Sequence, residues 1–225
     1  KHRTFSTEAP PTSHGHKGDP ARLPSAKVLG GPRGRRHAFR PDSIVNVSAM
    51  SYGSLSGHAV QALNNGVRMA GAMQNTGEGG LSEHHKQGGD LIYQVGTGYF
   101  GCRDEKGRLS IPRLVELTQA NPVRAIEIKL SQGAKPGLGG MLPGEKVTPE
   151  IAAIRGVPVG EDVASPSRHS AFRDVDSMLD VVEEIAEATG LPVGIKAAIG
   201  EMSMWEELAD RMIDRTRGVD FITVD

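Results

Sequence analysis

Residues 175–197, VDSMLDVVEEIAEATGLPVGIKA, contain a helix, a stop signal and a strand in immediate succession. Apolar residues recur at helical spacing over 175–188, which predicts an amphipathic helix that packs on a core. Gly190 ends this helix, because glycine readily adopts the left-handed conformation found just after helix C-termini. The stretch 193–197 (VGIKA) contains the β-branched residues typical of a buried strand. These residues predict a helix that leads directly into a strand.

The same alternation extends along most of the chain in both directions. Further strands are predicted at 44–48, 72–75, 92–95, 125–130, 162–165 and 219–224, and further helices at 57–69, 111–119, 148–155 and 203–215. Strands that alternate with helices are typical of parallel βαβ units. The sequence therefore predicts an α/β fold built on a parallel sheet.

Most of the predicted strands end in a polar or glycine-bearing loop. These loops are SAMSYGS at 48–54, NTGEGG at 75–80, SQGAKPG at 131–137, ASPSRH at 164–169 and KAAIGE at 196–201. A (β/α)8 TIM barrel gathers its chemistry at such strand ends. An open doubly wound sheet predicts instead a GxGxxG loop after its first strand, which this chain lacks. We expect an incomplete (β/α)8 TIM-type barrel from which the last one or two βα units are missing.

The first 40 residues differ in composition from the rest. They hold nine Lys and Arg against two Asp and Glu, with five prolines and no hydrophobic period. We therefore predict an extended basic N-terminal arm at 1–40 and a partial barrel domain at 41–225. The run RGRR at 33–36 suits either nucleic acid or a membrane surface, or a strap on the acidic body of the same chain. We favour the strap and expect no nucleic-acid partner.

Composition excludes several classes of protein. Cys102 is the single cysteine among 225 residues, which excludes an internal disulfide framework, a zinc site built from cysteines and an iron–sulfur cluster held by this chain alone. No apolar run approaches the roughly 20 residues that a transmembrane helix needs. We expect a cytoplasmic protein, with anchoring by upstream residues left open. Because the chain starts at Lys1 and ends on a predicted core strand, we expect a piece of a longer protein; a short edge strand at a true C-terminus is the alternative.

The segment 131–144, SQGAKPGLGGMLPG, holds the most chemical information. Its five glycines and two prolines exclude both helix and strand in our prediction. Glycines let a backbone approach a planar or phosphorylated ligand and direct several N–H groups toward it. Lys135 is the one cation there, suited to a carboxylate or to the electron-rich edge of a flavin. The alternative is a wide turn with Lys135 in water.

Histidines and the cysteine are weaker candidates. His84 and His85 follow Glu83, but adjacent side chains point to different sides of the chain, so we expect a surface loop and no metal site. Cys102 is expected to be a small buried residue. For His169, in the loop ASPSRH, a pocket role and a structural role both stay open.

The order and spacing of four features carry a resemblance to a known family. They are SAMSYGSLS at 48–56, NTGEGG at 75–80, the segment 131–144 and the helix that places Arg155. Over 41–225 the sequence closely resembles the FMN-binding synthase domain of glutamate synthase, in the glutamate-synthase-related branch. The resemblance implies an FMN-dependent oxidoreductase. It would reduce 2-iminoglutarate, formed from 2-oxoglutarate and ammonia, to glutamate by hydride transfer.

The resemblance also implies which residues bind the cofactor. The loop matching 48–51 lies against the flavin in this family, which assigns Ser48, Ala49, Met50 and Ser51. Gln132 lies in the flavin neighbourhood. Lys196 matches a lysine near the pyrimidine edge, where a cation stabilises the negative charge of the reduced ring.

The implied substrate site is built around two cations. Lys135 and Arg155 match residues that hold the carboxylates of 2-oxoglutarate, and the planar fork of arginine binds a carboxylate bidentately. Lys135 is also an implied catalytic residue, together with Glu78, which matches a glutamate near the site where ammonia arrives.

Met141 departs from the family pattern. It stands where complete glutamate synthases carry a substrate-contacting glutamine, and methionine cannot donate that hydrogen bond. A barrel oxidoreductase that acts on a different keto acid or imine is therefore one alternative, and a non-catalytic ligand-binding module is another. The electron donor (a reductase subunit, NAD(P)H or ferredoxin) and the ammonia source are expected outside this chain.

Overall fold

A computed structural model of the protein describes residues 27–134 and 139–225. Its centre is a curled sheet of five parallel strands, β1 (Met73–Asn75), β2 (Asp90–Val95), β3 (Val123–Lys129), β6 (Val193–Ala197) and β7 (Ile222–Val224). Their order in the sheet follows their order in the chain. In a doubly wound sheet the order of the strands reverses at a switch point, whereas in a barrel each new strand lies next to the preceding one. The described residues thus form an α/β half-barrel, which agrees with the predicted fold class.

Five α-helices accompany the sheet: α1 (Gly57–Ala70), α2 (Ile111–Ala120), α3 (Pro149–Arg155), α4 (Val175–Thr189) and α5 (Ser203–Arg211). The side chains of Ser56, Ser110, Thr148 and Asp174 cap four of them by accepting a backbone N–H of the first turn. Gly190 closes α4 in the left-handed conformation, as predicted. The helix α5 ends at Arg211, four residues earlier than expected. In the described part of the chain, no helix combines the length and apolar character needed to cross a membrane.

The two faces of the sheet differ in chemistry because successive side chains alternate. Toward the helices, apolar side chains from β2, β3 and β6 pack on α2 and α4 in one continuous core, which includes Leu91, Tyr93, Ile126, Ile128, Leu114, Leu179 and Ile195. On the concave face, Met73, Ile92 and Ala125 form an apolar layer at the amino ends of the strands. Polar side chains follow toward the carboxyl ends, where Lys129 and Lys196 are register partners. The concave face therefore becomes polar at the edge where the loops lie.

Two predictions for the segment after β3 were wrong. Residues 141–142 form a short strand, β4 (Met141–Leu142), within the segment from which strands had been excluded. The predicted strand at 162–165 shrinks to β5 (Val163–Ala164), which pairs antiparallel with β4 instead of joining the parallel sheet. Both predictions used local composition, whereas the pairing of β4 with β5 decides the structure of these two segments.

The predicted strand at 44–48 is reduced to a single parallel bridge between Val47 and Gln74 of β1. One reason is Asn46, whose side-chain oxygen accepts the backbone N–H of Met73 at 2.8 Å. A side chain thus takes a backbone donor that a longer ladder would use. The segment still lies next to β1, ahead of it in the strand order.

Residues 28–40 lie across the amino ends of the strands. Leu29 and Phe39 form an antiparallel bridge and pack on the apolar layer of the concave face. The N–H of His37 donates to the carbonyl of Gly190 at 2.8 Å. This course agrees with the strap hypothesis for the described part of the arm. Residues 1–26 lie outside the described residues, and the domain division at residue 40 stays a prediction.

Arg35 fastens the strap to acidic residues of the body. Its guanidinium donates to Asp220 at 2.9 Å and to Glu183 at 2.5 and 2.9 Å, and the side chain of Asp220 is fully buried. Hydrogen bonds to Glu183 and the nearby Asp220 carboxylate raise the pKa of Arg35 despite its burial. The basic run predicted from the sequence therefore has an acidic counterpart within the same chain.

The Arg35→Met variant should lower the free energy of unfolding by about 3 kcal/mol, because it leaves the buried carboxylate of Asp220 without its ion-pair partner. Chemical denaturation followed by circular dichroism measures this loss. Arg173→Met is the matched control, since Arg173 and Asp174 form an exposed pair with little expected effect. Equal stability of the two variants would contradict the anchoring role of Arg35.

Candidate functional site

The loops at the carboxyl ends of the strands enclose a cavity of about 320 Å³, called here the central cavity. All residues predicted to bind the cofactor line it, together with Glu78: Ser48, Ala49, Met50, Ser51, Gln132 and Lys196. A second cavity of about 340 Å³, the lower cavity, shares Ser48, Ala49, Lys196 and Asp225 with it. The lower cavity extends along the concave face to Glu127. The structure thus brings together the predicted cofactor-binding residues, which extend over 148 positions from Ser48 to Lys196. Their roles stay predictions.

Gly77 allows two of the cavity loops to approach each other closely. It is in the left-handed conformation at φ +68°, and its N–H donates to the side-chain oxygen of Asn75 at 3.0 Å. A Cβ atom at Gly77 would lie 2.5 Å from the backbone nitrogen of Ser51. Only glycine satisfies both the backbone conformation and this close approach. The loops SAMSYGS and NTGEGG therefore meet backbone to backbone at the edge of the central cavity.

Lys129 lines the central cavity, and the sequence analysis missed it. Its ammonium group donates to Glu78 at 2.8 Å and to Gln132 at 2.7 Å. The signal was present in the strand AIEIKL at 125–130, because alternation places Glu127 and Lys129 on one face. Lys129 joins the NTGEGG loop to the glycine-rich segment.

Lys196 is buried and forms an ion pair with Asp225 at 2.9 Å. The N–H of Gly133 donates to the same carboxylate at 2.8 Å. This hydrogen bond and the Lys196 ammonium hold the pKa of Asp225 below its usual value. The positive charge predicted from VGIKA is therefore already balanced within the chain, which the sequence did not indicate.

A small cavity of about 20 Å³ adjoins Glu78 and Lys129. Thr97, Gln132 and Ser167 also line it. A polar space of this volume holds about one water-sized molecule. It lies between the NTGEGG loop and the ASPSRH loop.

Arg155 is 6% exposed and is held by three neighbouring elements. Its guanidinium lies 5.1 Å from the ring centre of Phe100, and an added Cβ at Gly79 would approach Nη2 to 2.8 Å. Nε has no hydrogen-bond partner among the described residues, and Nη2 reaches the carbonyl of Tyr52 only at 3.5 Å. Burial lowers the pKa of Arg155, and the charge of Glu78 opposes this shift. The guanidinium remains a cation with unused donors, an arrangement suited to an anionic ligand.

A cluster of Tyr52, His84 and Glu150 fastens α3 to the SAMSYGS loop. The Tyr52 hydroxyl donates to Glu150 at 2.6 Å, and this hydrogen bond raises the pKa of Tyr52 to about 12. His84 lies 3.3 Å from the other oxygen of Glu150 and packs against the Tyr52 ring at 4.6 Å. Because α3 carries Arg155, this cluster helps to fix the position of the buried cation.

None of the three predicted substrate residues is among the described residues that line the central cavity. Arg155 lines a separate cavity of about 370 Å³, together with Arg103 and Arg113. Lys135 lies outside the described residues. Met141, on β4, is 70% exposed and does not line the central cavity. Its neighbour Gly140 lies closer to Glu78, since an added Cβ there would be 3.5 Å from the Glu78 carboxylate. The substrate roles of Lys135 and Met141 therefore rest on the resemblance alone.

His169 is held by contacts at both ring nitrogens, and it also lines a cavity of about 360 Å³, so both predicted roles stay open. It lies between the Tyr99 hydroxyl at 3.1 Å and the carbonyl of Lys129 at 2.8 Å, and it is stacked on Phe172. The same hydroxyl accepts the backbone N–H groups of Ser170 and Ala171. Burial lowers the pKa of His169, which favours the neutral ring. The ASPSRH loop is thereby fixed to the end of β3.

Cys102 and His85 are both buried. Cys102 is fully buried, and burial raises the pKa of its thiol to about 12. It is the small buried residue that we expected. His85 is buried and caps its own turn through Ser82, and burial lowers its pKa to about 4. Across residues 27–134 and 139–225, no three His, Cys, Asp or Glu side chains form a group that could hold a metal ion.

Comparison with known proteins gives a consistent result. Residues 32–225 match the family described as the conserved region in glutamate synthase. The chain is 42% identical over 189 residues to the glutamate synthase large subunit-like protein YerD of Bacillus subtilis, covering 83% of this chain and 36% of that protein. It is 39% identical over 185 residues to the archaeal-type glutamate synthase [NADPH] of Thermotoga sp. (strain RQ2), covering 80% and 33%.

A third relative is the archaeal glutamate synthase [NADPH] of Methanocaldococcus jannaschii. It is 39% identical over 163 residues, which are 70% of this chain and 29% of that protein. The chain therefore spans about a third of the length of the relatives that it matches.

Proposed function

This chain belongs to the glutamate synthase family, and on that premise we propose that it carries the site of an FMN-dependent oxidoreductase that reduces 2-iminoglutarate to glutamate. The observation that supports the proposal most directly is the central cavity, which Ser48–Ser51, Glu78, Gln132 and Lys196 line together. The half-barrel is proposed to be part of a complete (β/α)8 barrel. Its active site would lie where such barrels carry their chemistry.

The residues present fit a flavin. The central and lower cavities adjoin and share four residues, which gives a long pocket for a planar ring with a chain attached. Ser48, Ala49, Met50 and Ser51 would lie along the ring, and Lys196 would stand at its pyrimidine edge. FMN, when bound, supplies the hydride for the reduction. The protein contributes the position of the ring and the positive charge beside it.

Arg155 is proposed to bind one carboxylate of the substrate. Its buried Nε has no partner among the described residues and is free to form a charge-assisted hydrogen bond with a carboxylate. Lys135 is proposed to hold the other carboxylate, by resemblance to the family. Two cations would orient a dicarboxylate over the flavin, and such positioning lowers the barrier of the reaction.

Glu78 is proposed to act on ammonia. The small cavity beside it has room for one molecule of that size. There the carboxylate would accept a proton from ammonium, after which ammonia adds to the keto carbon of 2-oxoglutarate and water leaves to give the imine. Lys129, bonded to Glu78 at 2.8 Å, holds the carboxylate in place.

NADPH is proposed as the electron source, because the two archaeal-type relatives carry it in their names. A different keto acid or imine is the second candidate substrate. The exposed position of Met141 favours it, since nothing at that position supplies the amide of the family glutamine.

The test uses the full chain after purification. An oxidised-flavin absorbance spectrum supports an enzyme, and a colourless, folded protein supports a binding module instead. Anaerobic reoxidation of the reduced flavin by 2-oxoglutarate with ammonium supports the proposed substrate. Reoxidation only by other keto acids would overturn it.

The Lys135→Ala variant should lose this reoxidation while it keeps its flavin, because one of the two carboxylate contacts is gone. Stopped-flow absorbance measures the rate. Lys146→Ala is the control, since Lys146 is an exposed lysine that lies just after the segment 131–144. Wild-type rates in Lys135→Ala would refute the carboxylate assignment.

A further inference from the structure

Glu127 is a buried carboxylate that the proposed reaction does not use. It lies on β3 and is 1% exposed. One carboxylate oxygen accepts the side-chain amides of Asn75 at 2.8 Å and Gln94 at 2.7 Å, and the other accepts the Thr223 hydroxyl at 2.6 Å. A buried carboxylate is costly unless its oxygens are satisfied, and here three donors satisfy it.

The donors belong to three different strands. Asn75 is on β1, Gln94 on β2 and Thr223 on β7, whereas Glu127 is on the central strand of the sheet. Two of these contacts pass over an intervening strand, so they cross the concave face and do not merely accompany the backbone ladder. Glu127 forms no ion pair with any residue in the described ranges 27–134 and 139–225. The two lysines above it are paired with Glu78 and Asp225 instead.

These contacts lead directly to the loops of the central cavity. Asn75, held by Glu127, accepts the N–H of Gly77 through its other side-chain atom at 3.0 Å. Gly77 in turn is packed against the backbone of Ser51. Gln94, also held by Glu127, lines the central cavity itself. A single carboxylate is thus connected to both loops that meet at the cavity edge.

We propose that Glu127 is the positioning residue of the flavin pocket: through Asn75, Gln94 and Thr223 it fixes the NTGEGG loop and the spacing of β1 and β7 for the ring. This inference rests on the proposed function for the identity of the ligand. Its geometric part, the fixing of Gly77 by way of Asn75, does not depend on the ligand.

Two substitutions at Glu127 separate geometry from charge. Glu127→Gln removes the charge but keeps one oxygen for Asn75 and Gln94, and its amide can donate to Thr223, whose hydroxyl also accepts. Glu127→Met removes all three contacts. We expect Glu127→Met to weaken FMN binding by about tenfold or more, and Glu127→Gln to bind nearly as well as the wild type. Titration of the flavin-free chain with FMN, followed by flavin fluorescence, measures both.

Amide hydrogen exchange provides a readout that needs no flavin. In the flavin-free protein, the Gly77 amide should exchange about tenfold faster in Glu127→Met and at the wild-type rate in Glu127→Gln. If the wild type binds no FMN, the proposed function fails, but this measurement still decides the role of Glu127. Unchanged exchange in Glu127→Met overturns the inference. Equal losses in Glu127→Gln and Glu127→Met also overturn it, because charge and not geometry would then be responsible.

Matched variants exclude a general loss of stability. Gln74→Met removes a buried amide from the opposite face of β1, where Gln74 accepts from Asn64 at 2.9 Å. It should lower the melting temperature but leave Gly77 exchange and FMN affinity unchanged. Should Glu127→Met fail to fold, two variants of Thr223 replace it. Thr223→Val removes the hydroxyl that donates to Glu127, and Thr223→Ser keeps it. Thr223→Val must then weaken FMN binding and Thr223→Ser must not; the same affinity in both contradicts the inference.

Discussion

The Arg155→Met variant is expected to lower kcat/KM for the dicarboxylate substrate by about 100-fold or more, while FMN stays bound. The variant removes a buried cation whose Nε has no partner among the described residues. Methionine fills much of the space against Phe100 but cannot donate to a carboxylate. Steady-state kinetics with 2-oxoglutarate and ammonium, together with the visible spectrum of the variant, measures both parts of the prediction.

Two controls distinguish a carboxylate contact from simple packing. Arg155→Lys keeps the charge but loses the planar fork, so it should recover only part of the activity. Arg103 contacts the same Phe100 ring at 5.2 Å, but its guanidinium already donates to the carbonyl of Gly156. Arg103→Met should therefore retain wild-type kinetics. Equal losses in Arg103→Met and Arg155→Met would show that packing on Phe100 is what matters.

The Gly77→Ala variant should lose most of its FMN binding. At φ +68° an alanine costs about 1–2 kcal/mol, and its Cβ would also lie 2.5 Å from the Ser51 nitrogen. Because the obstacle is backbone and not a flexible side chain, the loops SAMSYGS and NTGEGG must separate. Flavin titration and thermal unfolding of the same sample measure the two consequences.

Gly107→Ala is the control for backbone strain alone. Gly107 has nearly the same conformation, φ +75°, but an added Cβ meets nothing within 4 Å. It should lower stability by about 1 kcal/mol and leave FMN affinity unchanged. If both alanine variants bind FMN equally well, the close approach of Gly77 to Ser51 has no role in the pocket.

The alternation of segments could be predicted with good accuracy. Helix α4 and strand β6 have nearly the predicted bounds, since helix periodicity, Gly190 and a β-branched run are all local signals. The five strands lie in chain order, as expected of a barrel-type α/β fold. The prediction was wrong for 162–165 and 141–142, because a short strand takes its direction from a partner that the local sequence does not specify.

The candidate site could be predicted only in part. The sequence showed each part of the site separately, and the family resemblance suggested that the parts meet. These parts are the motifs at 48–51 and 75–80 and the residues Gln132 and Lys196. Lys129 was missed although alternation in its strand placed it on the inner face. The partners of these residues were not predictable, since Asp225, which pairs with Lys196, directly follows another strand, β7.

By itself the sequence determined the α/β alternation, the family and the loops that carry the chemistry. These follow from short-range signals: periodicity, caps, turn residues and motifs. Tertiary structure alone decided that Arg35 fastens the strap to Asp220, that Arg155 is buried beside Phe100 and that Glu127 connects three strands. The physical reason is that each of these depends on a contact between distant segments, and burial and pairing are properties of the packed sheet and not of any one stretch of chain.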